Sequence, residues 1–474
     1  MTVVLPENGR TRKVLRAKLS LALGVACTAG CSSLPTFVPD MARRSVRTAQ
    51  LPPITSARGP LSAAQSKAIL DRLKQRSPDT NIFDRHLALE EAIVGSPLTT
   101  GNDVRLLQDG PATYSAMFAV LRAAKDHIHM ETFILDDDEV GQQFAQVLID
   151  KQREGVQVRL IYDSVGTLGT PAAFFKRLTD SGIKVLEFNP VNPLAARKGW
   201  QINQRDHRKL LIVDGETAFL GGINISGVYS GGSFGYSANG AIGATQPWRD
   251  TDIQLKGPVV AELQKLFLGV WERQQGEPMI GGNYFPRLEA TGKQVVRAIG
   301  SSPEEPFSLI YATLLSAITS AETSVSITNA YFVPDPQLLA ALSAAAQRGV
   351  AVKLILPAQT DSWLVFYAGR SYFAPLLRAG VKIYQRRDVI LHSKTALIDG
   401  VWATVGSTNL NWRSFLHNHE LNAVVLGAEF GAQVQKAFDK DLAASDEVTL
   451  DQWERRAIDS RAKELFARVW EYWL

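Results

Sequence analysis

His207-Arg208-Lys209-Leu210-Leu211-Ile212-Val213-Asp214 is followed, after six residues, by Gly221-Gly222-Ile223-Asn224. The pattern returns as His392-Ser393-Lys394-Thr395-Ala396-Leu397-Ile398-Asp399, followed after six by Gly406-Ser407-Thr408-Asn409. Five identities at fixed spacing, twice in one chain, do not arise by chance and mark a duplication. Alternate residues of a strand share a face, so His207 projects with Lys209 and His392 with Lys394. The apolar residues after each lysine continue a buried strand, and Asp214-Gly215 and Asp399-Gly400 are hairpin turn signals.

The repeat extends outward. The strand-like run from His127 to Ile134 corresponds to Val325–Phe332, and a helical segment ending at Gly155 corresponds to one ending at Gly349. Val158–Ile161 then matches Val352–Ile355, and a second helix closing at Gly182 matches one closing at Gly380. Strand–helix–strand–helix–strand order with a glycine after each helix predicts an α/β fold: two pseudo-symmetric halves, each a mixed, mostly parallel sheet flanked by helices. Asp250 lies seven residues before Gly257, and Glu420 seven before Gly427. These carboxylates are counterparts, each placed to hold the far nitrogen of a histidine, which fixes the tautomer and stabilises an imidazolium. The Gly/Ser-rich stretch 229–246 reads as an active-site loop of the first half.

This doubled motif resembles the phospholipase D superfamily, and Trp248-Arg249-Asp250, Asn329-Ala330-Tyr331-Phe332-Val333-Pro334-Asp335 and Arg413-Ser414-Phe415 are similar to bacterial cardiolipin synthases. The resemblance implies a phosphatidyltransferase that joins one phospholipid to the hydroxyl of another, phosphatidylglycerol giving cardiolipin, through a covalent phosphohistidine. It implies His207 as nucleophile and His392 as general acid, with Lys209, Lys394, Asn224 and Asn409 on the phosphate and no metal or other cofactor. Asp214 and Asp399 complete the catalytic motif, more as buttresses than as proton carriers, and Ser407, Asp250 and Glu420 give support. Gly222 departs from the pattern, which often has serine there, and puts one hydroxyl contact in doubt. The alternatives are hydrolysis to phosphatidic acid, a nuclease, or a lipid-binding protein without turnover.

Composition narrows these. In 474 residues, 51 Lys plus Arg face 47 Asp plus Glu, a formal charge of +4, so there is no bulk basic signature and no nucleic-acid partner is expected. The two cysteines, Cys27 and Cys31, precede the repeat. Basic residues from Arg10 to Lys18, an apolar run to Ala29 and Thr28-Ala29-Gly30-Cys31 read as a signal peptide of lipoprotein type over 1–30. Lipidation at Cys31 would tie an exported protein to a membrane surface, with Ser32 favouring the outer membrane. The division expected is a tether over 31–80 holding one short helix near Ala63–Gln75, a first half over 81–285, a second over 286–440 and a helical segment over 441–474. The aromatic end of that segment either packs on the second half or lodges Trp470 and Trp473 at a membrane interface. The partners expected are phospholipid substrates and a membrane; the sequence does not give the oligomeric state.

Overall fold

The computed structural model describes residues 52–197, 199–231 and 246–474. The lipoprotein signal with Cys31 and Ser32, and most of the 229–246 loop, lie outside them.

The β-order of the first half is Lys184–Phe188, Gln157–Asp163, His127–Thr132, Leu210–Val213, Thr217–Gly221, Thr251–Lys256 and Leu98–Gln108. The second half repeats it as Lys382–Arg386, Ala351–Pro357, Ser324–Asn329, Lys394–Ile398, Trp402–Gly406, Asn418–Leu426 and Gln294–Ser301. Each half is the expected mixed α/β sheet. Its parallel part is confined to the first three strands, which are joined by helices; the remaining pairings are antiparallel, so these outnumber the parallel ones, and one in each half is a tight hairpin, Leu210–Val213 with Thr217–Gly221 and Lys394–Ile398 with Trp402–Gly406. Asp214 (φ 53°) with Gly215 (φ 65°), and Asp399 (φ 50°) with Gly400 (φ 69°), supply the left-handed pair such hairpins require.

The halves meet in two ways. Leu98–Gln108 and Gln294–Ser301 pair antiparallel, joining the two sheets edge to edge. The inner faces also share one apolar layer, in which Ile212, Leu220 and Ile253 of one half lie with Leu397, Val405 and Ala423 of the other. Phe267 and Phe430, from helices Val259–Arg273 and Ala428–Ala443, close this layer.

Residues 52–80 correct the sequence reading: they are not a tether. Ile54–Ser56 runs parallel to the start of Leu98–Gln108, and helix Ala63–Gln75 begins at a Ser62/Gln65 capping box. Ile54, Leu70, Phe83 and Leu87 are buried in the core of the second half. Each contributes about 1.5–3 kcal/mol, too much for a spacer. His86 reinforces the docking, with Nδ1 2.9 Å from Ser316 Oγ and Nε2 2.8 Å from Glu90, whose carboxylate also meets Arg297 at 3.0 Å. The first half therefore begins near Leu98 rather than at residue 81, because the helices of 82–93 pack on its neighbour. Pro, Ser and Arg content suggested a linker, but the alternation that buries Ile54 and Leu70 is too short to stand out.

Candidate active site

Two short cross-half pairings build the site. Arg205-Asp206 runs parallel to Asn418-His419, and His207 N donates to His419 O at 3.0 Å. In mirror fashion Trp248-Arg249 runs parallel to Ile390-Leu391, and His392 N donates to Arg249 O at 2.8 Å. Each bridge delivers a histidine of one half beside the carboxylate of the other. His207 Nδ1 lies 3.0 and 3.1 Å from the two oxygens of Glu420, and His392 Nδ1 lies 2.7 Å from Asp250 Oδ2. The sequence predicts both carboxylates; that the pairs cross between halves is visible only in the fold. With Nδ1–H donated to a carboxylate, the remaining ring nitrogen, Nε2, is left to act.

All six groups are buried: His207, Lys209, His392, Lys394, Asp250 and Glu420. Lys209 Nζ donates to His207 O at 2.6 Å, and Lys394 Nζ donates to His392 O. Burial, with each lysine adding to the charge of the other, brings Lys209 down to about 7, and burial, against the pull of Asp250, brings Lys394 to about 8. Burial lowers His207 to about 4, against the pull of Glu420 and with help from Lys209, leaving a neutral imidazole at neutral pH. Burial and the two lysines likewise depress His392.

The two carboxylates differ. Burial pushes Glu420 up, but His207 and Lys209 outweigh it and its pKa falls below the usual range. Asp250 is raised to about 6 by burial, against the pull of Lys394. A proton is thus held more readily at the His392–Asp250 pair than at His207–Glu420.

The Gly222 departure has a steric cause. A Cβ there would stand 2.2 Å from Asp250 Oδ1, so the shorter carboxylate occupies the space a serine would need. In the other half the longer Glu420 leaves room for Ser407, whose hydroxyl donates to it. On the Gly222 side Asp250 accepts Thr251 N at 2.7 Å instead.

The sequence places Tyr229 only as the first residue of the active-site loop and gives it no role. Its hydroxyl lies 3.2 Å from His392 Nδ1 and accepts from Asn224 Nδ2 at 3.1 Å. Trp248 and Tyr331 also face the His392 ring, at centroid distances of 5.0 and 5.9 Å, whereas His207 meets Phe133 at 5.1 Å. Tyr331 donates to Asp361 at 2.7 Å. Trp248 and Tyr331 stand in stretches the sequence singles out, but the convergence of these aromatics needs the fold.

Asn224 is also tied to Ile134 N, through its Oδ1 at 3.0 Å, so its amide orders the loop and the tyrosine. Asn409 leaves its side-chain oxygen without a partner among the described residues. Asp214 and Asp399, counted with the catalytic motif by sequence, stand at the far ends of their strands, five residues or roughly 16 Å from the lysines at about 3.3 Å per residue. Asp214 accepts the N–H groups of Lys125, Asp126 and His127, and Asp399 those of Glu322, Thr323 and Ser324 plus the Thr80 hydroxyl. They are buttresses. The other histidines are also accounted for by packing: His129 stacks on Phe267 and is bonded by Gln264, and His419 faces Glu304.

A doubled α/β fold that brings paired His/Lys sets together across its two halves defines a protein of the phospholipase D class. The family model for the cardiolipin synthase, phospholipase D-like domain matches residues 117–229 and 314–442, and the chain belongs to that family. It is 36% identical to a cardiolipin synthase of Geobacillus kaustophilus over 388 residues, 81% of this chain and 74% of that one. It is 36% identical to cardiolipin synthase 2 of Bacillus anthracis over 372 residues, 77% and 70% of the two chains. The fold is similar to the crystal structure of a phosphatidylserine synthase of Haemophilus influenzae, with a TM-score of 0.58, 12% identity, and 90% and 99% of the two chains covered.

Proposed function

We propose that the protein makes cardiolipin by transferring a phosphatidyl group from one phosphatidylglycerol to the hydroxyl of another. The observation that carries this reading is the pair of crossed dyads, His207–Glu420 and His392–Asp250, with the charges of both lysines acting on both histidines. A binding protein has no need of two oriented histidines. The neutral His207, with Nδ1–H held by Glu420, attacks phosphorus through Nε2. The P–N bond forms as the P–O bond to glycerol breaks, and His392 hands its proton to the departing oxygen. A hydroxyl of the second lipid then gives its proton to His392 and attacks phosphorus, breaking the P–N bond and freeing His207.

Lys209 and Lys394 supply the fixed positive charge that the phosphoryl oxygens need in the transition state. The incoming phosphodiester opposes those lysines, which raises His392 toward the protonated form its role requires. Asp250, holding a proton readily, supports His392 as the acid; Glu420, held ionised, supports His207 as the nucleophile. Phospholipid substrates imply work at a membrane, and a lipid on Cys31 would keep the protein there. Among the described residues no helix is long and apolar enough to cross a membrane.

The test is incubation of the purified protein with phosphatidylglycerol vesicles, with lipid products read by mass spectrometry. Cardiolipin and glycerol, absent with His207→Ala and with His392→Ala, are the expected result. Phosphatidic acid alone would overturn the transfer reading in favour of hydrolysis. The mass of the mature N-terminus tests the lipid on Cys31.

A further inference from the structure

Large apolar side chains exposed on this protein are not scattered. Among the described residues all of them except Ile280 and Phe285 lie either in the connections, loop or helix, that follow strands on the side of the two histidines or in the C-terminal segment. Ile280 and Phe285 flank Tyr284, which binds Gln157 at the opposite, N-terminal ends of the parallel strands. Leu168 (68% exposed) follows strand Gln157–Asp163, and Leu194 (93%) and Ile202 (53%) follow Lys184–Phe188.

The belt is continuous across the halves. The Leu168 loop is tied to the Leu194 loop by Ser164 Oγ donating to Asn189 O at 2.7 Å. Asn203, beside Ile202, accepts from Arg413, whose N–H donates to the terminal Leu474 carbonyl at 3.0 Å. Trp473 lies parallel to His417, three residues before Glu420. Helix Ile458–Arg468 turns Ala467 and Glu464 inward, yet exposes Phe466 against Trp363, at a ring distance of 6.2 Å. Trp363 opens the helix that follows Asp361, the partner of Tyr331 at the His392 ring. The segment thus both packs on the second half and presents apolar groups outward, so the two sequence alternatives are not exclusive.

The charge of these loops matches the same surface. Segments 164–171, 189–197 and 199–204 contain no aspartate or glutamate, in a chain where 47 of 474 residues are acidic, and Arg197 is basic there; Asp361, exposed beside Trp363, accepts from the Tyr331 hydroxyl. Of the acidic run Asp136–Glu139 on this side, Asp138 is taken up at a helix start, where it accepts from Gly141 N and Gly227 N, and Asp137 accepts from the Gln142 amide.

We propose that this belt is a docking face for an anionic phospholipid bilayer, with Leu168, Leu194, Ile202, Trp363, Phe466 and Trp470 dipping into the interface on the side of the two histidines. Rings with one polar edge suit that boundary, and acid-free loops lower the repulsion from lipid phosphates. The inference deepens the proposed function, on which it rests for the identity of the lipid.

The test is a residue-by-residue depth map on the full chain, with Cys27 and Cys31 replaced by serine. A polarity-sensitive fluorophore is placed on Leu168→Cys, Leu194→Cys, Phe466→Cys or Ile280→Cys, and phosphatidylglycerol vesicles are added. A blue shift at the first three and none at Ile280 is the expected result. No shift in the belt, or an equal shift at Ile280, overturns the proposal, because attachment elsewhere in the chain would not bury these positions selectively. In parallel, Leu194→Ser with Phe466→Ser and Trp470→Ser should cut turnover on vesicles more than about tenfold, since even one apolar anchor lost is worth about a decade in membrane affinity. Turnover of short-chain, freely dissolved phosphatidylglycerol should stay unchanged; equal losses on both substrates overturn the docking role. A selective blue shift without cardiolipin formation from either substrate would overturn the proposed function and leave the docking face standing.

Discussion

Replacing Asp250 by asparagine tests the division of labour between the dyads. The change is isosteric, and the site is fully buried, with 2.7 Å between Asp250 Oδ2 and His392 Nδ1. Asparagine cannot hold an imidazolium by charge and can present its NH2 to Nδ1, turning the ring proton to the wrong nitrogen. Acid catalysis of this kind is worth about 10²–10⁴, or about 3–5 kcal/mol of barrier. Turnover of phosphatidylglycerol should therefore fall by about 10³, near the middle of that range. On a phosphatidyl ester of p-nitrophenol, whose leaving group departs without a proton, most of that loss should be recovered in the release of p-nitrophenol. Glu420→Gln impairs the attacking histidine, so its loss should be similar on both esters. Stopped-flow absorbance would measure the burst on the activated ester, with thermal denaturation confirming that both variants fold. Recovery by Glu420→Gln and not by Asp250→Asn would reverse the two roles. Equal losses on both esters for both variants would refute the reasoning that one dyad is the proton store.

Gly222→Ala forces a Cβ to 2.2 Å from Asp250 Oδ1, so the carboxylate must shift; turnover should drop at least about 100-fold and stability by about 1–3 kcal/mol, checked by kinetics and urea unfolding. Lys209 and Lys394, at about 7 and about 8, lose the phosphate-gripping charge as pH rises. The pH profile of kcat/KM should consequently fall through that window, while bound phosphate moves the fall in kcat to higher pH; a flat kcat/KM up to pH 9 would contradict it. Asp399→Ala strips acceptors from three backbone N–H groups and should cost about 2–4 kcal/mol of stability in thermal or urea unfolding. Its kcat per folded molecule should fall far less than that of His392→Ala, as active-site titration would show.

The doubled motif made the repeat, the succession of strands and helices along the chain and both His/Lys sets legible, because strict spacing survives even where neighbours differ; the order of the strands across the sheet was not. Asp250 and Glu420 were legible by their equal distance from a glycine, but not the halves they serve. Nothing in the spacing of Glu420 distinguishes His207 from His392 as its partner; the two-residue bridges at 205–206 and 248–249 decide it. Tyr229 was hidden because its meeting with His392 depends on how the second half docks. Gly222 was visible as an anomaly, and the missing explanation was the one-methylene difference between Asp250 and Glu420. The 52–94 region misled because loop-like composition conceals a few well-spaced apolar residues.

The crossing of the dyads constrains ancestry and change alike. A single half of this design holds a histidine without its carboxylate and a carboxylate without its histidine, so it could work only when a second copy lent the missing member. Duplication within one chain made that loan permanent. From then on neither half could drift alone: a mutation at residue 420 is felt by a histidine encoded 213 positions earlier, and the two copies are inherited as one machine.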